Sequence, residues 1–360
     1  MELFNQCDMD VSGNDKLKHP PRIGLVIPCF NEEEVLAETT SRLIALLTKM
    51  RDAGVISSDS AVYYIDDGSK DSTWALISAL SRAHQHVHGI KLSRNCGHQR
   101  ALLCGLMNAP GDAIISVDAD LQDDLNAIPR MVRNYREGSD VVYAVRDKRD
   151  TDTLFKRLTA EGYYKLLAAM GVQIVFNHAD YRLLSRRAIE ALRCYKETHL
   201  FLRGLIPQLG FPSSVVEYER HERFAGTSKY PLRKMLGLAW EGVTSFSAYP
   251  LRLITSAGGL ISVGSIGFAA WALFLRLFTD RAIPGWASTV IPMYFLGGVQ
   301  LLGIGIIGEY LAKVYEATKE RPRFHVETTT VETTIISDAG IIFERDSSLG
   351  RKSVGTEQCG

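Results

Sequence analysis

The chain has no surplus of charge. Lysine plus arginine and aspartate plus glutamate number 41 each over 360 residues, so bulk charge offers no attraction to nucleic acid, and none is expected as a partner. Cysteine is sparse. The six, at positions 7, 29, 96, 104, 194 and 359, include no C-x-x-C pair, which removes the usual spacing of a zinc site. Cys29 stands in an apolar run and reads as a small buried hydrophobe. Reduced thiols and a cytosolic catalytic part are expected. Residues 1–21 are polar and carry no apolar stretch, so no cleavable signal peptide is expected. The first strand end has no glycine-rich phosphate loop. It is acidic instead, which argues against nucleotidyl transfer.

What the chain does have is uneven. Acids gather at 66–67 and 118–124, bases at 146–157 and 220–234. Separated patches suit a ligand that brings both a metal-bound diphosphate and a second phosphate. In the first half, short runs at 23–27, 61–65, 89–92, 113–117 and 140–144 are rich in valine and isoleucine and nearly continuous, as buried parallel strands are. Amphipathic stretches at 32–50, 72–83, 98–108 and 127–136 read as helices between them, with Pro129 suited to a first turn. The alternation predicts a doubly wound α/β sheet, with ligands beyond the carboxyl ends of its strands. Further helices are expected at 153–170 and 185–209, and a strand at 213–218.

The second half changes character. Residues 229–250 mix Lys229, Arg233 and Lys234 with Leu232, Met235, Leu236, Trp240 and Phe246, the pattern of an amphipathic helix at a membrane interface. Two uncharged segments follow, 253–275 and 282–308, each longer than the roughly 20 residues a bilayer crossing needs. Gly258, Gly259, Gly297, Gly298, Gly303, Gly305 and Gly308 suit close helix packing and self-association through the membrane helices. Arg233, Lys234 and Arg252 precede the pair, and Lys313, Lys319, Arg321 and Arg323 follow it. This bias places both termini in the cytoplasm. The expected organisation is a polar segment at 1–21, a catalytic domain at 22–228, an interfacial helix at 229–250, two transmembrane helices within 251–312 and a cytoplasmic tail at 313–360, to which composition assigns no role.

Three predicted strand ends carry acids. The first reads Ile27-Pro28-Cys29-Phe30-Asn31-Glu32-Glu33 and the second Asp66-Asp67-Gly68-Ser69-Lys70-Asp71-Ser72. A carboxylate at such an edge can accept the N–H of a nucleobase, and Phe30 offers a contact surface. Taken alone, Asp-Asp-Gly-Ser is an ordinary turn with a helix cap at Ser72. The fourth strand ends Val117-Asp118-Ala119-Asp120-Leu121-Gln122-Asp123-Asp124. Residues i and i+2 of an extended segment point the same way, so Asp118 and Asp120 can converge on one hard cation, Mg²⁺ or Mn²⁺. Asp180, within Asn177-His178-Ala179-Asp180-Tyr181-Arg182, is open to three readings: it orients a sugar hydroxyl, acts as a base, or forms a structural pair with an arginine. His98 and His178 read as hydrogen-bonding residues.

These motifs, with Lys91-Leu92-Ser93-Arg94-Asn95-Cys96-Gly97-His98-Gln99 and Arg223-Phe224-Ala225-Gly226-Thr227-Ser228-Lys229-Tyr230, make the chain resemble glycosyltransferase family 2 over residues 22–315. More narrowly it resembles the polyprenyl-phosphate branch, which holds dolichyl-phosphate mannose synthases and bactoprenol glucosyltransferases. Glu161 stands where some mannose synthases have serine. The resemblance implies a GT-A (Rossmann-like) catalytic domain, a divalent metal, and inverting transfer of a sugar, UDP-glucose being the favoured donor, to polyprenyl phosphate. By position it implies that Pro28, Phe30, Asn31, Glu32, Asp66, Asp67, Ser69 and Gln122 bind the nucleotide-sugar and that Asp118 and Asp120 hold the metal. It places Arg146, Arg157, Ser228 and Lys229 on the lipid phosphate, and Asp180, Arg146, Arg157 and Arg223 in the catalytic set. The Q-x-x-R-W element of processive synthases does not occur. Formyl-aminoarabinose, mannose or an N-acetylhexosamine is the alternative cargo, and a non-catalytic membrane scaffold the alternative outside enzymology.

Overall fold

The computed structural model describes residues 19–146, 178–195, 197, 201–218, 249–278, 286–319, 321–330, 335–336 and 342–343. They fall in two compact units. The first is α/β and includes residues 321–330, which follow the long C-terminal helix; the second contains the two long helices.

The first unit is built on β1 (Ile23–Cys29), β2 (Ala61–Asp66), β3 (Val87–Leu92), β4 (Ala113–Ser116), β5 (Val141–Arg146), β6 (His178–Ser185), β7 (Ser213–Tyr218) and β8 (Val326–Thr329). They form one sheet in the order β7-β5-β6-β4-β1-β2-β3-β8. The β3-β2-β1-β4 block is parallel, as expected. Every residue of β1 and β2 is buried, which is why these strands read as unbroken apolar runs. Between the strands run α1 (Leu36–Asp52), α2 (Thr73–Ala83), α3 (His98–Asn108), α4 (Ala127–Arg136), α5 (Arg186–Arg193) and α6 (Leu202–Gln208). Leu36, Leu43 and Leu47 of α1 and Ile128, Met131 and Val132 of α4 share one apolar cluster with Leu25, Ile27 and Tyr64. Val26 points to the other face, by the two-residue period of a strand, and meets α3 there. The approach is close: a Cβ on Gly105 would lie 2.3 Å from Val26 Cγ1 and 2.9 Å from Ile65 Cγ1.

The sheet departs from the doubly wound expectation in being mixed. β6 runs antiparallel to β4 and β5, and β8 runs antiparallel to β3. The predicted helix over 185–209 is in fact the end of β6 followed by two short helices. Ser185 caps α5, its side chain accepting the Ala188 N–H at 3.2 Å. The buried stripe Ala188, Ile189, Leu192 then runs out, because the next positions on that face are polar or charged. The expected helix at 153–170 and most of the interfacial helix at 229–250 lie outside the described residues.

The second unit contains α7 (Tyr249–Phe278) and α8 (Trp286–Thr318). Their described side chains are largely exposed and apolar, among them Leu260, Trp271, Phe278, Met293, Phe295 and Leu301. Among the described residues one stretch, Phe295–Thr318, is long and apolar enough to cross a bilayer.

Candidate functional site

The parallel strands β1, β2 and β4 end at one edge, and their acids collect there. Because β6 is antiparallel, it begins at that same edge. Ser116 pairs with Arg182 across β4–β6, so the next positions outward, 118 and 180, come to stand opposite one another. β5 and β7 also end at this edge, with Arg146 paired to Tyr218.

Each acidic turn is held by its neighbours. Asn31 adopts φ 56° and Leu121 φ 56°, left-handed conformations that cost a side-chain-bearing residue of order 1–3 kcal/mol and cluster at functional sites. Asn31 donates its N–H to Ser69 Oγ at 3.0 Å and accepts the Lys70 N–H at 2.9 Å. The two strand ends are thereby stitched together. Glu32, half-buried, donates its backbone N–H to Thr73 Oγ1 at 2.9 Å. Pro28 is buried and Phe30 is 41% exposed, free to present its ring to a ligand.

Asp66 and Asp67 are both buried. Asp66 accepts the Ser69 N–H at 3.1 Å, and burial pushes its carboxyl up. Asp67 accepts two backbone N–H groups, from Cys96 at 2.7 Å and Gly97 at 2.8 Å. Burial raises its carboxyl too, against the pull of those two bonds. The Asp67 carboxylate therefore holds the loop that starts α3. Gly68, at φ 67°, lets the turn pass so close to that loop that a Cβ would lie 2.6 Å from the Arg94 carbonyl carbon.

The Asp118–Asp124 segment rests on aromatic support. Tyr181 donates to the Asp124 carbonyl at 3.0 Å, Tyr218 donates to Asp123 at 2.5 Å, and the two rings meet edge to face at 5.3 Å. Asp120 accepts the Gln122 N–H at 3.2 Å, and Gln122 is buried. The Asp118 side chain opens on the cleft at this strand edge and is 40% exposed. Its carboxyl is pushed up to about 6, first by burial and then by Asp123, Asp180 and Asp120, with His98 pulling the other way. Among the described residues no three His, Cys, Asp or Glu side chains form a closed metal site.

Asp180 is buried and heavily engaged. It pairs with buried Arg182, meets Arg203 at two points of 3.2 Å each and accepts from Gln99 Nε2 at 3.0 Å. Burial works to raise its carboxyl, but Arg182 and Arg203 outweigh that and hold it well below the usual carboxylate range. A carboxylate in this state is a poor proton acceptor near neutrality. Of the three readings of Asp180, the geometry favours the arginine pair. His98 Nε2 lies between the two sides of the cleft, 3.8 Å from Asp118 and 3.6 Å from Asp180.

Arg146 is the last residue of β5, at the acidic edge. Arg157, Arg223, Ser228 and Lys229 lie outside the described residues. Arg203 and Gln99 were not singled out from the sequence. Gln99 closes the Lys91-to-Gln99 run, whereas Arg203 falls inside the single helix expected at 185–209 with nothing to distinguish it.

Residues 25–193 match the family model described as glycosyl transferase family 2. An uncharacterized glycosyltransferase of Bacillus subtilis, YkoT, is 46% identical over 309 residues, 85% of this chain and 91% of that protein. A bactoprenol glucosyl transferase of Shigella phage SfX is 39% identical over 308 residues, 85% of this chain and 99% of its own. Among solved structures, a mannosyltransferase of Pyrobaculum calidifontis in complex with GDP-Man and Mn²⁺ is 16% identical with a TM-score of 0.41, covering 84% of this chain and 90% of that one.

Proposed function

We propose that this chain, which belongs to glycosyltransferase family 2, transfers a sugar from a nucleotide-sugar to a polyprenyl phosphate at a membrane surface. The chain is a glycosyltransferase with a GT-A-like α/β fold and a mixed sheet. The acceptor class follows the bactoprenol glucosyl transferase relatives, which this chain spans almost from end to end. Glucose is the favoured sugar on the same ground, and UDP its favoured carrier by the family resemblance.

One observation carries the reading at the level of chemistry. The Asp118–Asp120 turn, left-handed at Leu121, stands opposite an Asp180 that pairs with Arg182 and Arg203. The two carboxylate groups thus sit in unlike surroundings, one crowded by acids and the other held by arginines. Asp118 is crowded by other acids, and a divalent ion there would relieve that repulsion. Asp118 and Asp120 would hold Mg²⁺ or Mn²⁺ beside the diphosphate of the donor. Bound there, the metal supplies charge stabilisation to the leaving nucleoside diphosphate.

In the reaction an acceptor phosphate oxygen forms a bond to the anomeric carbon as the bond from that carbon to the diphosphate breaks, with inversion. A phosphate monoester has its second pKa near 6. The acceptor is therefore largely ionised at neutral pH and needs no strong base. This agrees with an Asp180 that does not take protons. The protein's share is to position the two substrates, which is worth several orders of magnitude in such reactions. Phe30 and the β1 and β2 turns face the nucleotide, and Arg146 stands at the edge where an acceptor phosphate would enter.

Phe295–Thr318 supports membrane attachment. Two spans, with the catalytic domain and both termini in the cytoplasm and self-association through the glycine-bearing helices, complete the proposal. Incubating membranes that contain the protein with a panel of labelled nucleotide-sugars, then extracting the lipid, tests the reaction. A labelled product in the organic phase with one donor is expected. Label confined to water for every donor rules the reading out.

A further inference from the structure

The residues just after α8 behave unlike a tail. Helix α8 ends at Thr318, and by Arg323 and Phe324 the chain is buried again, at 8% and 1% exposure. Arg323, counted from the sequence as a membrane-flanking base, turns its guanidinium inward and donates to the Tyr195 carbonyl at 2.9 Å. The His325 carbonyl accepts the N–H of Ser93 at 3.0 Å. β8 then pairs with β3, Lys91 meeting Glu327 at 2.9 Å. At the far end Thr330 accepts the Gly89 N–H at 2.7 Å and the Ser81 hydroxyl at 2.9 Å.

Ser93 is the first residue past β3, and the loop it opens, 93–97, delivers His98 and Gln99 to the cleft. That loop has two restraints. On one side Asp67 holds Cys96 and Gly97. On the other, the strap formed by 321–330 holds Ser93. Gln99 in turn touches both Asp180, at 3.0 Å, and the Leu202 N–H that opens α6, at 3.3 Å. The simplest role for β8 is to cover the β3 edge, since open strand edges invite aggregation. Edge cover, however, needs only β8 itself. It does not account for the buried Arg323–Phe324 lead-in, which sits where the loop begins.

We propose that the 323–325 end of the strap is a positioning element for sugar transfer: it fixes the start of the 93–97 loop and so sets His98 and Gln99 against Asp118 and Asp180.

This inference rests on the reading of the cleft as the transfer site, and the test separates the two. In the full-length protein in detergent or bilayer discs, amide exchange over 93–97 is measured without substrate, and turnover is measured beside it. Arg323→Ala should speed exchange over 93–97 and cut kcat about tenfold or more, with the melting temperature little changed. Arg323→Lys keeps a donor for the Tyr195 carbonyl and should restore both. Thr330→Val, at the far end of the strap, should leave turnover near that of the parent. Faster exchange with full turnover in Arg323→Ala would reduce the strap to edge cover. Unchanged exchange, or an equal loss in Thr330→Val, would also overturn the proposal. If the parent protein transfers no sugar at all, the reading of the cleft fails, while exchange over 93–97 still decides whether the strap holds the loop.

Discussion

Arg203 meets Asp180 edge to edge, with Nε and Nη2 each 3.2 Å from a carboxylate oxygen. This two-point contact closes a cluster that already contains buried Arg182. An arginine fork matches a carboxylate in a way that lysine's point charge does not. Arg203→Lys should therefore keep the fold, with at most about 1 kcal/mol lost for a partly exposed pair, and slow turnover as Asp180 loses its alignment. Thermal melts and steady-state rates on the same preparation check this.

Asp180→Asn is expected to behave differently. It leaves Arg182 buried without its counter-charge, and removing one partner of a buried pair costs about 3–5 kcal/mol. A large fall in melting temperature should accompany any loss of activity, so that lost activity alone would not mark Asp180 as a base. An Asp180→Asn protein that melts like the parent would refute this account of the site.

The site is only partly legible in the sequence, for physical reasons. β1, β2 and β4 are buried on both faces and announce themselves as apolar runs. Their acidic ends stand out by contrast. β6 was hidden because it carries Asp180 and Arg182 into the interior as a pair, and a buried charge breaks the pattern that marks a buried strand. With β6 unseen, the antiparallel turn of the sheet and the opposition of positions 118 and 180 could not be read. β8 was hidden because it is four residues long and carries glutamate and threonine, a composition shared with tails. Asp67 reads as a ligand-binding acid, and nothing in the sequence reveals that each of its oxygens also accepts a backbone N–H.

Asp118 and Asp120 should prove indispensable for turnover, and Asp118 costly to the metal-free fold. Asp118 lies among three other acids and its carboxyl is pushed up to about 6. In the folded chain its negative charge is thus disfavoured relative to the unfolded chain at neutral pH. Asp118→Asn removes that penalty. Because the side chain is partly open to water, the gain should be only about 1 kcal/mol, visible as a small rise in melting temperature. Turnover should nearly vanish in Asp118→Asn and in Asp120→Asn, and excess chelator should silence the parent protein. Full activity in chelator would exclude the metal.

Cys7 and Cys359, both outside the described residues, report on topology. With two spans and cytoplasmic termini, neither should react with an impermeant thiol reagent in intact cells, and both should react once the membrane is opened. Labelling of either before permeabilisation would reverse or remove a span.

The last prediction concerns the acceptor phosphate. Arg146 ends β5 on the edge where the acids collect. Arg157 and Arg223 lie outside the described residues, and the family resemblance alone assigns them, with Arg146, to phosphate. A lipid phosphate must meet such groups close to the bilayer, since its hydrocarbon tail cannot leave the membrane cheaply: each buried CH₂ is worth about 0.8 kcal/mol. If the arginines were surface ion pairs, each would contribute about 0–1 kcal/mol and would tolerate lysine. A bidentate grip on phosphate would not, because the ammonium lacks the planar fork. Arg→Lys at 146, 157 or 223 should therefore cut turnover about tenfold or more, equivalent to about 1.4 kcal/mol of transition-state stabilisation, at unchanged melting temperature. At 146 and 157 the loss should be greatest when polyprenyl phosphate is limiting and should shrink as it is raised. At 223 a loss of rate is expected, with the affected substrate left to the measurement. Parent-level turnover of all three lysine variants at limiting acceptor would place the lipid phosphate elsewhere.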